Sequence, residues 1–268
     1  MTGYISLGYG DLAIGSLLVL ANAGLSLALQ LGIHWRFLVA ALRMVVQLAL
    51  MGLVLATLFS LVSPLWTALA ALVMVGFAGR EASARQDRPL AGLWSYGLGS
   101  SSMLLAAALV TVFGLTTALR PDPWYDPRYA IPLLGMILGN TMTGVSLGLN
   151  GLTNGLSARR AAVEARLMLG ATRREAFSPV IRQSLRNALM PIVNVMSATG
   201  VVSLPGMMTG QILGGVAPGE AVKYQILILF LIAGGTGLGA GAAVLGAAYR
   251  MTDARHRLRL DRLRPGKA

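Results

Sequence analysis

The sequence predicts an all-α integral membrane protein with seven transmembrane helices, an outside N-terminus and a cytoplasmic C-terminus. Of its 268 residues 55% are hydrophobic and only 12% charged, with a mean hydropathy of +0.68; soluble domains carry about twice that charged fraction. Apolar stretches of about 20 residues, the length that crosses a bilayer core of roughly 30 Å as a helix, recur along most of the chain. The basic residues between these stretches fall on one side. Lys and Arg are retained in the cytoplasm during insertion, and seven crossings place Arg36, then Arg80, Arg85 and Arg88, then Arg159, Arg160, Arg166, Arg173, Arg174, Arg182 and Arg186, then Arg250 through Lys267, on that side. Only Arg120, Arg128 and Lys223 fall on the other.

The first span, at about 11–31, follows a short polar start without Lys or Arg and without a small-residue cleavage site, so it reads as retained and not as a signal peptide. The second, at about 37–59, carries Arg43 and Gln47; Arg43 lies about two turns inside, close enough to snorkel to the cytoplasmic interface. The third and fourth follow at about 62–79 and 92–119, then the turn-rich "RPDPWYDPR" of Arg120 to Arg128. Span five covers about 130–150. A polar interval at about 151–186 separates it from span six at about 187–213, and "GGVAPGE" of Gly214 to Glu220 leads to span seven at about 222–249.

This composition excludes most catalysis. A phosphate-binding GxxxxGK[ST] loop needs a lysine beside Ser or Thr, and the only lysines are Lys223 in "AVKYQ" and Lys267 in "PGKA". The chain therefore reads as a non-enzyme that binds no cofactor of its own. His34 and His256 lie outside the apolar cores, and HExxH, CxxC and GxSxG do not occur. The net charge of +12 is accounted for by topology and anionic lipid, each surface Lys or Arg contributing on the order of 1 kcal/mol, so no nucleic-acid partner is called for. The lack of cysteine fits a prokaryotic membrane protein without disulfides.

Within the polar interval, "EARLMLGATRREAF" of Glu164 to Phe177 has a shape of its own. Residues from about Ala158 to Leu169 favour helix, with Val163 and Leu167 four apart. Gly170 supplies the left-handed position that ends helices, and Thr172-Arg173-Arg174-Glu175 has the form of a capping box. The pattern predicts a helix, a sharp corner and a second helix entering span six: a knob suited to a groove on a soluble partner.

"EARLMLG" followed by "AT" resembles the coupling loop of ABC-transporter permeases, whose pattern is E-A-A, three residues, G, then nine residues before I-x-L-P. Glu164, Ala165 and Gly170 stand in its places and Val180 replaces Ile, but Arg166 replaces the third residue and Arg182-Gln183 stands where Leu-Pro is expected. "IPLLGMILGNTMTGVSLGLN" (Ile131 to Asn150) and "GVVSLPGMMTGQILGGVAPGEAVKYQI" (Gly200 to Ile226) are similar to the signature segments of FetB-like permeases, and "LRMVVQL" (Leu42 to Leu48) adds a more diffuse likeness. The resemblance implies that residues 1–268 form a single transmembrane permease domain with a coupling loop at about 151–186. It implies an exporter of iron or another metal species from the cytoplasm, in the inner or plasma membrane, working as a permease homodimer with a FetA-type ATP-binding subunit that holds ATP and Mg. Glu164, Ala165, Gly170, Ala171 and Thr172 are then the ATPase-coupling residues. An ion-coupled secondary transporter acting without an ATPase is the alternative reading.

Candidate pathway residues follow from side chains ill suited to lipid. Gly135, Gly139 and Gly144 allow close helix approach, while Asn140 and Thr143 should face the bundle or a wet path, either bonding between helices or lining the route. The same two readings apply to Gln47. In "SLPGMM", Pro205 and Gly206 should break span six about 27 Å along it, near the outer face. Met207 and Met208 either plug a gate there or merely pack. The spans hold no Glu or His, and their only Asp is Asp11 at an outer boundary. The metal ligands are therefore unknown: a chelated metal, or a hydrated ion passed along carbonyl, Asn, Thr and Met groups, both fit.

Overall fold

In a computed structural model, residues 8–253 and 257–264 are described; Arg255, His256 and Lys267 of the basic tail lie outside them. The described residues contain α1 (Tyr9–Ala28), α2 (His34–Leu61), α3 (Pro64–Ala84), α4 (Trp94–Phe113), α5 (Pro127–Ala158), α6 (Arg160–Met168), α7 (Arg173–Ala198), α8 (Gly206–Leu213) and α9 (Pro218–Arg250). The end of α4 winds on as a π-helix over Gly114–Leu119. Proline opens α3, α5 and α9 at the first helical position, where its missing N–H costs nothing. Six of these helices are long and apolar enough to cross a membrane: α1, α2, α3, α4 with its π-helical end, α5 and α9.

The expected sixth span, 187–213, is not one helix. Its first half is the end of α7, which begins at Arg173 and carries Arg173, Arg174, Arg182 and Arg186. The helix then stops at Ala198, seven residues before the expected break at Pro205. Thr199 leaves the helical conformation at ψ 132°, and Gly200 at φ +92° then turns the chain, its N–H donating forward to the carbonyl of Ser203 at 2.9 Å. Pro205 and Gly206 instead open α8, with Pro205 in the extended conformation that precedes a helix.

The centre of the molecule is α5, flanked by α9 and α7. A Cβ placed on Gly144 would come within 2.7 Å of Cγ2 of Thr236, and on Gly148 within 2.8 Å of Cγ2 of Val244. A Cβ on Gly235 would meet Cγ2 of Ile137 at 2.6 Å. These paired small-xxx-small notches let the backbones of α5 and α9 approach closely, which drives helix association in lipid. The pairing order, 137 with 235 and 148 with 244, makes α5 and α9 parallel. Gly151 against Ser184 and Gly155 against Val180 make α5 and α7 antiparallel. Of the anticipated glycines, Gly144 fills the packing role and Gly135 approaches Met74 at 3.3 Å, but Gly139 faces open space.

At the end of the bundle where α7 begins and α9 ends, side chains tie the helices together. Arg173 stacks over Tyr249 at 4.2 Å, joining α7 to α9, and Arg250 over Trp94 at 4.4 Å, joining α9 to α4. The C-terminal tail pairs Leu263 with Leu90 and fastens the α3–α4 loop. By contrast α1 and α2 form a peripheral hairpin: within its apolar stretch α2 buries nothing, and it touches α3 and α5 sparsely.

Candidate functional site

The corner between α6 and α7 is the knob foreseen in the sequence. The N–H of Gly170, at φ +90°, donates to the carbonyl of Leu167, and that of Ala171 to the carbonyl of Arg166, both at 3.1 Å. Together these bonds are the Schellman closure of a helix. The next helix starts at once: the N–H of Thr172 donates to Oε2 of Glu175 at 2.8 Å, and the Glu175 N–H donates back to Oγ1 of Thr172 at 3.4 Å. The backbone and hydroxyl bonds from Thr172 hold the Glu175 carboxyl below the usual carboxylate range.

Behind the corner, Val163 and partly buried Leu167 join the core cluster that holds Ala176, Phe177 and Val180. Glu164 is half-buried and accepts from Nε of Arg160 at 2.8 Å, Ala165 and Thr172 are exposed, and Ala171 is half-buried. At the tip stand Met168 and Leu169, 82% and 88% exposed. Two large apolar side chains thus project side by side, uncovered, from a doubly capped corner. Beside it a groove of about 240 Å³ between α7 and α9 is lined by Arg173, Arg174, Phe177 and Tyr249.

Asn140 and Thr143 do not face the bundle interior. Asn140 is exposed and donates to its own helix, at the Met136 carbonyl, 2.9 Å away; half-buried Thr143 donates to the Gly139 carbonyl at 3.2 Å. Thr141, Gly144 and Gly148 meet α9 and Gly151 meets α7, so helical periodicity turns Asn140 and Thr143 away from α9. On α7 the exposed residues Gln183, Asn187 and Asn194 recur at spacings of four and seven, again one face, with Gln183 donating to Asn187 at 2.9 Å. Their neighbours Ser184 and Ala188 touch the glycines of α5, so this stripe borders the same seam.

The other pathway candidates lie apart from this face. Gln47 is exposed in a cleft between α2 and α3, with Arg36, Arg43, Glu81 and Arg85. Pro205 and Gly206 begin α8; Met207 is half-buried against the core and Met208 half-buried beside it. Among the described residues no group of three His, Cys, Asp or Glu is placed to hold a metal ion. Sequence reasoning missed the α7 stripe, although its spacing was visible. It also missed Asn150 and Asn154, which fasten the α3–α4 loop: the Asp87 N–H donates to Oδ1 of Asn150 at 2.9 Å, and Nδ2 of Asn154 donates to Oδ2 of Asp87 at 3.1 Å. Two asparagines four apart near the C-terminal end of α5 were the available signal.

Comparison with known proteins places this geometry among membrane proteins. The family described as "Uncharacterised protein family (UPF0014)" matches residues 9–252. A UPF0014 membrane protein of Synechocystis is 38% identical, over 85% of this chain and 87% of the relative. The UPF0014 membrane protein STAR2 of Oryza sativa is 37% identical, over 78% and 72%. The "Probable iron export permease protein FetB" of Escherichia coli is 30% identical, over 95% and 96%. No solved structure matches the chain.

Proposed function

Because the chain belongs to the UPF0014 family of membrane proteins, which includes a relative named a probable iron export permease, we propose that it is the membrane subunit of an ATP-driven metal exporter. Residues 1–268 form one permease domain, and a separate FetA-type subunit binds ATP and Mg. The observation that carries this reading is the α6–α7 corner: a rigid, doubly capped turn presenting Met168 and Leu169 to a soluble partner. Closure of the ATPase dimer pushes on the corner through Glu164 to Thr172. Because α7 runs unbroken from the corner to Ala198 and packs along α5, the push reaches the polar face between them.

Seven crossings are supported by direction. Parallel neighbours α5 and α9 require a return between them; α6 is 9 residues long and too short, while α7, at 26 residues or about 39 Å, is antiparallel to α5 and long enough. An odd number of crossings then puts the basic tail in the cytoplasm and the N-terminus outside. A homodimer is supported by Asn140, Thr143, Gln183, Asn187 and Asn194, polar side chains on an outward face that lipid would leave poorly solvated. A second copy covers them and makes a wet, weakly binding path suited to a hydrated or complexed metal.

The test is reconstitution with the ATP-binding subunit, measuring ATPase stimulation and metal flux in proteoliposomes. Replacing Met168 and Leu169 together by Ser should weaken ATPase association about tenfold or more, since burial of one such side chain is worth roughly 1.5–3 kcal/mol. Unaltered association, or export driven by an ion gradient without any ATPase, refutes the proposal.

A further inference from the structure

The cleft between α2 and α3 has a charge pattern that the transport reading does not use. These helices form a hairpin that turns at Val62–Ser63. Arg43 on α2 and Glu81 on α3 each lie about 18 residues from that turn, or roughly 27 Å along. That is close to the full depth of a bilayer core of about 30 Å. With the turn outside, their level is the headgroup region of the cytoplasmic leaflet. There the two helices part to leave a cleft of about 560 Å³.

Three guanidinium groups, from Arg36, Arg43 and Arg85, line the cleft against one carboxylate. Glu81 is divided between two of them, accepting from Arg43 at 3.2 Å through one oxygen and from Arg85 at 3.4 Å through the other. Arg36 has no ion pair among the described residues. Each guanidinium carries five donors, so most of the hydrogen-bonding capacity in the cleft is unspent, with two positive charges in excess. The side chains of Arg43 and Arg85 remain about half exposed, at 54% and 48%. On the membrane-core side of Arg43 the lining turns to Met44 and the amide of Gln47. Val39 and Ala40 line the wall between Arg36 and Arg43, so the outer part of the cleft sets cations against an apolar wall, and the deeper part keeps only apolar and amide lining. This is the order in which a phospholipid presents phosphate, ester carbonyl and acyl chain.

We infer that the α2–α3 cleft binds the phosphodiester headgroup of an anionic lipid from the cytoplasmic leaflet. Arg36, Arg43 and Arg85 engage the phosphate, Gln47 the ester region, and Glu81 holds two of the arginines in place. The cytoplasmic leaflet carries a negative surface potential, so the ligand is present at this depth at high local concentration. Bound lipid fills the gap that sparse α2–α3 packing leaves and anchors the peripheral α1–α2 hairpin. The inference rests on the orientation proposed above.

The full chain, purified in detergent with its accompanying subunits, is titrated with phosphatidylglycerol, phosphatidylcholine or inorganic phosphate, and bound lipid is counted by native mass spectrometry. Phosphatidylglycerol should bind at least about tenfold more tightly than phosphatidylcholine, and Arg36→Gln should weaken it about fivefold, the factor expected for one surface-proximal arginine. Glu81→Gln removes the competing negative charge while its amide oxygen still accepts from an arginine, so it should strengthen binding, a gain that misfolding cannot produce. Inorganic phosphate should fail to displace the lipid. Equal binding of the two lipids, indifference to both substitutions, or displacement by phosphate as effective as by lipid overturns the inference; the last result assigns the cleft to a soluble oxyanion. Because the titration is made in detergent, it is independent of ATPase coupling and of the labelling experiment that tests orientation, so failure of either reading is recognisable by itself.

Discussion

Replacing Gly170 by Val tests whether the α6–α7 corner transmits force. Nothing lies within 4 Å of a Cβ at this position, so the cost considered is that of the backbone at φ +90°. A β-branched residue pays on the order of 1–2 kcal/mol or more there. Escaping the strain means giving up the bonds from Gly170 to Leu167 and from Ala171 to Arg166, each worth about 1 kcal/mol. Either way the corner loses about 1–2 kcal/mol, so the docking conformation falls roughly five- to thirtyfold in population against unwound alternatives. Permease level in the membrane and ATPase stimulation are measured side by side, with Gly170→Asn as control because Asn tolerates the left-handed region. The expected result is normal insertion of both variants, coupling lost in Val and largely kept in Asn. Full coupling by a properly inserted Val variant refutes the reasoning and makes the segment an ordinary interfacial helix.

Cysteines introduced at Thr2 and Pro265 should be labelled from opposite faces of intact cells; labelling from one face removes the seven-crossing topology. Asn140→Leu should lower metal efflux per permease in loaded cells while Asp11→Asn leaves it unchanged, since Asp11 lies exposed in the first turn of α1; the reverse outcome moves the path to a carboxylate near the outer mouth. Gly148→Leu should lower stability in detergent by roughly 1–3 kcal/mol, read from thermal unfolding, because its Cβ meets Val244 at 2.8 Å, whereas Gly139→Ala should be silent. In the tail, hydrogen bonds from Arg259 hold the Asp261 carboxyl down to about 2. The contribution of the pair is complete above the ordinary carboxylate value of 3.8 and is lost as pH falls through about 2. Tail proteolysis should thus be faster in Asp261→Asn than in the parent near neutral pH, with the difference vanishing toward pH 2.

Local chemistry was legible in the sequence where a few neighbouring residues decide it. Thr172 and Glu175 announce their cap, Gly170 its positive φ, and hydropathy marks the helices that lipid can hold. What escaped depends on three-dimensional neighbours. Gly139 and Gly144 look alike in the sequence, yet only Gly144 meets α9, because a 3.6-residue period separates their faces. Asn140 was expected to face either the bundle or a wet path; which face of α5 it occupies is set by where α9 docks, nearly a hundred positions later. Proline is the stronger local signal and points to a break in the sixth span at Pro205, but the helix is left at Thr199, Gly200 turns the chain, and Pro205 starts the next helix.

The notches of α5 also impose an order in time. Gly144 and Gly148 are filled by Thr236 and Val244 of α9, the last long helix among the described residues, beside Ala188 of α7. At a synthesis rate of about 5–20 residues per second, α5 waits several seconds in the bilayer with its grooves occupied by lipid tails. Seating α9 means expelling those tails, so the central pair of helices is completed last. A nascent chain that stalls before residue 236 would offer its most adhesive surface to any neighbouring helix.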